Sequence, residues 1–72
     1  MLLIDDDVEL SRLLGEFLER EGFTMTAAHD GLSGLEQARS SDADLVILDV
    51  GLPKLDGFGV LRKLRETSKV PV

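Results

Sequence analysis

The residues with the most chemical capacity in this chain are carboxylates. Asp5, Asp6 and Asp7 follow the apolar run Leu2-Leu3-Ile4, and Asp49 follows the apolar run Leu45 to Leu48. Behind Asp49 stand Pro53 and the pair Asp56-Gly57, giving the spacing D-x-x-x-P-x-x-D-G. A cluster that offers only oxygen is what a hard cation such as Mg2+ binds, usually while keeping several of its waters. Taken singly, these acids have plainer uses: Asp5, Asp6 and Asp7 would cap a helix and Asp49 would turn the chain after a strand. Two acids closing one run and one acid closing another, with Pro and Asp-Gly at fixed offsets behind, point instead to a shared site.

The elements that must position them can be read from hydrophobic spacing. Leu2-Leu3-Ile4 is too short for a helix, is stopped by acid, and reads as a strand. Leu10, Leu13, Leu14, Phe17 and Leu18 then follow the i, i+3, i+4, i+7, i+8 spacing of one helix face, which ends at Gly22, a good C′ residue. Asp6 and Glu9 have capping-box spacing, and Asp7 could serve equally well as N-cap. Phe23, Met25 and Ala27 alternate with Thr24, Thr26 and Ala28, the period of an edge strand with one face more buried. After the turn His29-Asp30-Gly31, Leu32, Leu35 and Ala38 carry a weaker helical spacing to about Arg39, closed by Ser40, Ser41 and Asp42.

Leu45, Val46, Ile47 and Leu48 are continuously apolar, as expected of a central strand covered on both faces. Beyond the turn, Phe58, Leu61 and Leu64 mark a third helix to about Glu66 with a core-facing stripe, and Asp56 is its expected N-cap. Arg62, Lys63 and Arg65 fall on its solvent side, and Lys69 to Val72 reads as the beginning of a further strand. Short apolar runs alternating with amphipathic stretches indicate an α/β class with a parallel sheet. The spatial order 2-1-3 follows, with right-handed crossovers placing helix one on one face and helices two and three on the other. In such sheets the ligand crevice lies beyond the carboxyl ends of the strands where the connection reverses, and there Asp5, Asp6 and Asp49 would meet.

Meeting is costly. Two unit charges 4 Å apart repel by about 4 kcal/mol at an effective dielectric of 20, and three such pairs by about 12. Retained protons or a bound cation must offset that, and a solvent-reachable site made of oxygen favours the cation.

Composition bounds the rest. Seventy-two residues with 43% apolar content, three Phe, no Trp and no Tyr make at most one small domain with an aliphatic core. No cysteine is present, which removes disulfide and thiolate-zinc readings and fits a reducing cytoplasmic compartment. The longest apolar stretch falls far short of the roughly 20 residues that span a bilayer, so no membrane role is expected. A net charge of −6 makes direct nucleic-acid binding by this segment a poor reading.

The stretches "LLIDDD" and "DLVILDVGLPKLDGFGVLRKLR" resemble, essentially without a gap, the receiver domains of two-component response regulators. The resemblance implies a flavodoxin-like doubly wound sheet, truncated here: residues 1–72 would hold the first three β/α units, with the fourth strand only begun and units four and five absent. It implies that Asp49 is the phosphoacceptor, charged from a sensor histidine kinase, and that Mg2+ or another divalent cation is held by Asp5, Asp6, Asp49 and the backbone carbonyl of Gly51. Asp6 would ligate directly and Asp5 through water. Such a domain is a signalling module and not an enzyme, and its parent is expected to regulate transcription.

The family also uses a lysine after its fifth strand and a Ser or Thr after its fourth, neither of which lies within these residues, and Lys54 and Lys69 do not match the lysine's position. Weak metal binding and little durable phosphorylation are therefore expected of the isolated segment. Self-association through the open edge of strand three, or a swapped element, is expected as well. Two rival readings fit less well. A haloacid-dehalogenase-like phosphatase wants a second aspartate where Gly51 stands. A binding module that keeps the fold without using phosphate would be indifferent to the loss of the Asp49 carboxylate.

Overall fold

The computed structural model describes residues 1–40 and 43–72. Three strands, β1 (Leu2–Ile4), β2 (Thr26–Ala28) and β3 (Val46–Leu48), alternate with three helices, α1 (Val8–Arg20), α2 (Gly31–Ser40) and α3 (Gly57–Arg65). The strands pair in parallel in the order β2-β1-β3, with Leu2, Leu3 and Ile4 matched to Thr26, Ala27 and Ala28 on one side and to Val46, Ile47 and Leu48 on the other. Ser41 and Asp42, expected to help close the second helix, lie outside the described residues.

Strand alternation splits the molecule into two layers about the sheet. Leu2, Ile4, Ala28 and Val46 join Leu35 and Ala38 of α2 and Val60 and Leu64 of α3 in one buried cluster. Leu3 is equally buried, at 2% exposure, but stands outside that cluster, on the face that α1 covers. This is the two-sided arrangement that right-handed crossovers require.

The faces that the helices bury differ from those expected. On α3 the buried residues are Gly57, Val60 and Leu64, while Phe58 is 65% exposed. A glycine hides in a pattern search because it carries no apolar side chain, yet here it sets the contact face, and Phe58 lies about 100° around the helix from it. On α2, Leu35 and Ala38 are buried as expected, Gly34 joins them, and Leu32 is turned outward. On α1, Ser11 is buried and Leu14 and Leu18 are half-buried, so the helix sits on the sheet along the i, i+3, i+7 line through Ser11. Leu10, Leu13 and Phe17 form a second stripe open to solvent.

Two strand expectations are also corrected. In this sheet β3 is an edge and β1 the centre, so Val46 is buried while Ile47 is 40% exposed. The alternation before helix two collapses to a short β2 in which Ala28 points inward and Phe23 stays exposed. Lys69 to Val72 form no strand, although the Val46 N–H donates to the Pro71 carbonyl at 2.8 Å, as the first rung of one would.

An apolar edge strand and, elsewhere on the molecule, an uncovered apolar helix stripe each favour association. Sedimentation of the 72-residue chain is expected to show an apparent mass that rises with concentration, and a single monomeric boundary across a hundredfold range would refute this.

Candidate functional site

In-register parallel pairing does the first part of the positioning. Ile4 is matched to Leu48, so the next residue on each strand, Asp5 and Asp49, leaves the sheet at the same level on adjacent strands. Sheet spacing of about 4.8 Å then sets how far apart their backbones lie. Each is pinned at that level: the Asp49 N–H donates to the Ile4 carbonyl at 2.9 Å, and the Asp5 N–H to the Ala28 carbonyl at 3.0 Å. Asp5 Oδ1 accepts from the Asp7 N–H at 2.9 Å, a local turn that holds Asp6 next to its neighbour. One carboxylate oxygen from each of Asp5, Asp6 and Asp49 lies within 4.8 Å of the other two. Asp5 and Asp49 are half-buried and Asp6 is exposed, so the cluster opens to solvent.

The acids flanking this trio divide the structural work. Asp7 is the N-cap of α1, its side chain accepting from the Leu10 N–H at 2.9 Å. The Asp6-Glu9 capping box does not form, because Glu9 pairs with the Arg12 guanidinium, whose hydrogen bonds hold the Glu9 carboxyl below its usual range. Asp56 caps α3 as expected, accepting from the Gly59 N–H at 2.8 Å. Asp6 is thereby left free of a capping role.

Gly57 has a reason to be glycine. A Cβ there would lie against the carbonyl oxygen of Asp49 and 2.6 Å from Val50 Cα, both backbone atoms that cannot swing aside. The Asp-Gly pair thus does two jobs: the first residue caps α3 and the second lets the helix start against the strand end that carries Asp49. Gly51 is different, since nothing lies within 4 Å of where its Cβ would be. Its N–H donates to Asp49 Oδ1 at 3.3 Å.

Sequence reading gave no site role to three further residues, Asp30, Lys54 and His29. Asp30 caps α2, accepting from the Ser33 N–H at 2.8 Å, and its spacing to Ser33 ahead of a helical pattern was the available signal. Lys54 adopts a left-handed backbone, φ 69°, and its ammonium lies 3.6 Å from Asp30 Oδ2. His29 Nδ1 is 3.1 Å from the Asp5 carbonyl oxygen.

The Ser33 N–H, against the opposing cost of desolvation and with help from the Lys54 charge, holds the Asp30 carboxyl below its ordinary range. A carboxyl whose folded value is depressed stabilises the fold above its unfolded pKa, about 3.9, and that contribution is lost as pH falls through the folded value. Asp30→Ala is therefore expected to lower the melting temperature at neutral pH, with the gap to the parent chain narrowing as pH falls through and below the ordinary aspartate range. A gap that stays constant across this acid range would show that the cap does not depend on the charge.

The donor set suits magnesium. Opposite ligands of an octahedral Mg2+ stand about 4.2 Å apart, twice a bond of 2.1 Å. Oxygens within 4.8 Å of one another meet that size once a single contact is made through water.

The sequence profile of the response regulator receiver domain matches residues 1–72, the whole chain. The chain belongs to that family. It is 49% identical to the transcriptional regulatory protein CpxR of Escherichia coli K12 over 72 residues, which is all of this chain and 31% of that protein. To the transcriptional regulatory protein CseB of Streptomyces coelicolor it is 46% identical over the same span, again 31% of the relative. The chain thus spans about a third of the length of these curated relatives.

Among solved structures, the receiver-domain fold superposes on the response regulator protein TrrA of Thermotoga maritima in complex with Mg2+-BeF. That match has a TM-score of 0.88 and 35% identity, covering 94% of this chain and 59% of that one. TrrA in complex with the histidine kinase ThkA matches with a TM-score of 0.87 and 34% identity, over 97% of this chain and 60% of TrrA. The flavodoxin-like fold and the order 2-1-3 expected from sequence are those of this receiver domain. No helix among the described residues is long and apolar enough to cross a membrane.

Proposed function

We propose that this receiver domain accepts a phosphoryl group on Asp49 from the phosphohistidine of a sensor histidine kinase, with a divalent cation, Mg2+ above all, held by Asp5, Asp6, Asp49 and the Gly51 carbonyl. The observation that carries the proposal is the convergence of the three carboxylates at the strand-order reversal, with one oxygen of each within 4.8 Å of the others. A relative in complex with Mg2+-BeF and a relative in complex with a histidine kinase support it. In the step itself an Asp49 oxygen attacks phosphorus in line, the new P–O bond forms as the P–N bond breaks, and the imidazole leaves with the electron pair and picks up a proton. The bound cation would neutralise charge on the phosphoryl oxygens.

The chain's own residues supply placement. Half-burial and the Ile4 hydrogen bond restrain Asp49, the Gly51 N–H orients one of its oxygens, and Asp6 faces solvent as a ligand for an incoming ion. The module receives one phosphoryl group and is not a turnover catalyst. It works in the cytoplasm, and in a longer parent it would govern an output that regulates transcription, as the relatives' names indicate. Residues 1–72 correspond to the first three β/α units of the family's domain.

An NMR titration with MgCl2 tests the metal half of the proposal. The amides of Asp6, Asp49 and Gly51 are expected to shift together and saturably, and Asp6→Asn to weaken the apparent affinity about tenfold or more. Equal affinities in the two chains would remove Asp6 from the site.

A further inference from the structure

The parallel ladder between β1 and β2 follows a regular alternation: the Thr26 N–H donates to the Met1 carbonyl at 3.0 Å, and the Asp5 N–H to the Ala28 carbonyl at 3.0 Å. Continued by one rung, that ladder would have the backbone N–H of Asp30 donating to the Asp5 carbonyl. It cannot, because at Asp30 the chain has already turned into the N-cap of α2. The vacant acceptor is met by a side chain instead, His29 Nδ1 at 3.1 Å. Since a carbonyl oxygen can only accept, Nδ1 carries the proton in this contact.

The same turn grips the loop that follows Asp49. Asp30 Oδ2 lies 3.6 Å from Lys54 Nζ. The Gly31 N–H reaches the Pro53 carbonyl at 3.5 Å, and Gly31 lies so close to Leu55 that a Cβ would overlap the Leu55 carbonyl. Lys54 holds a left-handed backbone, which is unfavourable for a residue that carries a Cβ. The β2–α2 turn therefore touches both loops that carry the acids: the Asp5 backbone through His29, and the Pro53–Leu55 segment through Asp30 and Gly31. The other hydrogen bonds at the half of the site that precedes α1 are those of the Asp5 N–H, the Asp5–Asp7 turn, the Ile4 carbonyl and the Asp7 cap, so the His29 contact is the one made to the Asp5 carbonyl among the described residues.

We infer that His29 is a positioning residue of the carboxylate site, its Nδ1–H extending the β1–β2 ladder by one side-chain rung so that the backbone of Asp5, and with it Asp6, is held at the level of Asp49. The inference rests on the metal-site reading only in its second consequence. The first, restraint of the Asp5–Asp7 loop, is a property of the metal-free chain.

Two substitutions separate the donor from the bulk. His29→Asn places an amide N–H near the Nδ1 position, and His29→Phe keeps a ring without a donor. Because His29 is exposed, both chains are expected to fold and to melt near the parent temperature in EDTA. Amide hydrogen exchange in EDTA reads the restraint: Asp6 and Asp7 are expected to exchange at least threefold faster in His29→Phe and at the parent rate in His29→Asn. Mg2+ titration followed at the Asp49 amide reads the consequence, with a threefold or greater loss of affinity in His29→Phe that His29→Asn restores.

Unchanged exchange in His29→Phe overturns the inference, as does equal acceleration in both variants. Faster exchange in His29→Phe, restored by Asn, in a chain whose parent form does not bind Mg2+ sustains the rung and defeats the metal reading instead.

Discussion

Asp49→Asn is expected to abolish phosphoryl acceptance while making the metal-free chain more stable. Incubated with a phosphorylated kinase domain or a small acyl phosphate and MgCl2, the parent chain should acquire label, even if transiently, and the Asn variant none above background. The amide keeps the volume and the ability to accept the Gly51 N–H, which lies 3.3 Å from Asp49 Oδ1. What it lacks is an anionic oxygen able to form the acyl phosphate. The stability change has the opposite sign because the three carboxylates repel in the absence of a cation. Removing one charge from a cluster open to solvent relieves about 1 kcal/mol after screening, a rise of about 4–8 °C in melting temperature for a domain of this size. Mg2+ should then stabilise the parent more than the variant, so the two melting curves converge as the ion is added. A variant that still incorporates phosphate on this segment, or that melts lower than the parent in EDTA, would place the chemistry elsewhere.

Gly57→Ala is the second large effect. The added carbon would meet the Asp49 carbonyl and approach Val50 Cα to 2.6 Å, and neither atom belongs to a flexible side chain. The start of α3 must therefore move off the end of β3, at about 1–3 kcal/mol, the usual range for overpacking a tight contact. A folded chain of this length has only about 4–11 kcal/mol in total, so the loss is a large share of it. The displaced backbone is that of Asp49 itself, so Mg2+ affinity should fall together with stability. Gly51→Ala is the control, since no atom stands within 4 Å of its Cβ position. Only the carbonyl of Gly51 is proposed to act, and Ala retains it. Equal effects at the two glycines would mean that local backbone entropy, and not close approach to Asp49, explains the first.

The hydrophobic runs were sufficient to recover the strand order, because a parallel βαβ chain leaves few topologies once three apolar runs and the crossover hand are known. The helix caps at Asp7 and Asp56 could be read from residue type and position. Which face each helix buries could not. On α3 the contact line runs through Gly57, whose role depends on how closely Asp49 approaches, and so the apolar pattern points Phe58 to the core although it lies 65% exposed. On α1 two apolar stripes compete, and choosing the one through Ser11, Leu14 and Leu18 requires knowing where the sheet is. Continuous apolarity suggested burial on both faces of β3, a condition the described residues meet at Val46 but not at Ile47.

The proposed site divides in the same way. Asp5, Asp6 and Asp49 were legible because strand ends and a topological reversal bring them together whatever the side-chain details. His29 and Lys54 were not, because a side chain completing a backbone ladder and a left-handed lysine facing a cap leave no periodic trace.

The peptide unit that joins Leu48 to Asp49 has its two ends facing opposite ways. Its N–H is taken by the Ile4 carbonyl, and in a planar trans amide the oxygen points the opposite way, toward the outer margin of β3. Polarisation passes through such a unit, so a donor arriving at the Leu48 oxygen strengthens the N–H bond that anchors the acidic residue. Whatever strand lies alongside β3 would therefore set the stiffness of the Asp49 backbone by way of a single shared amide.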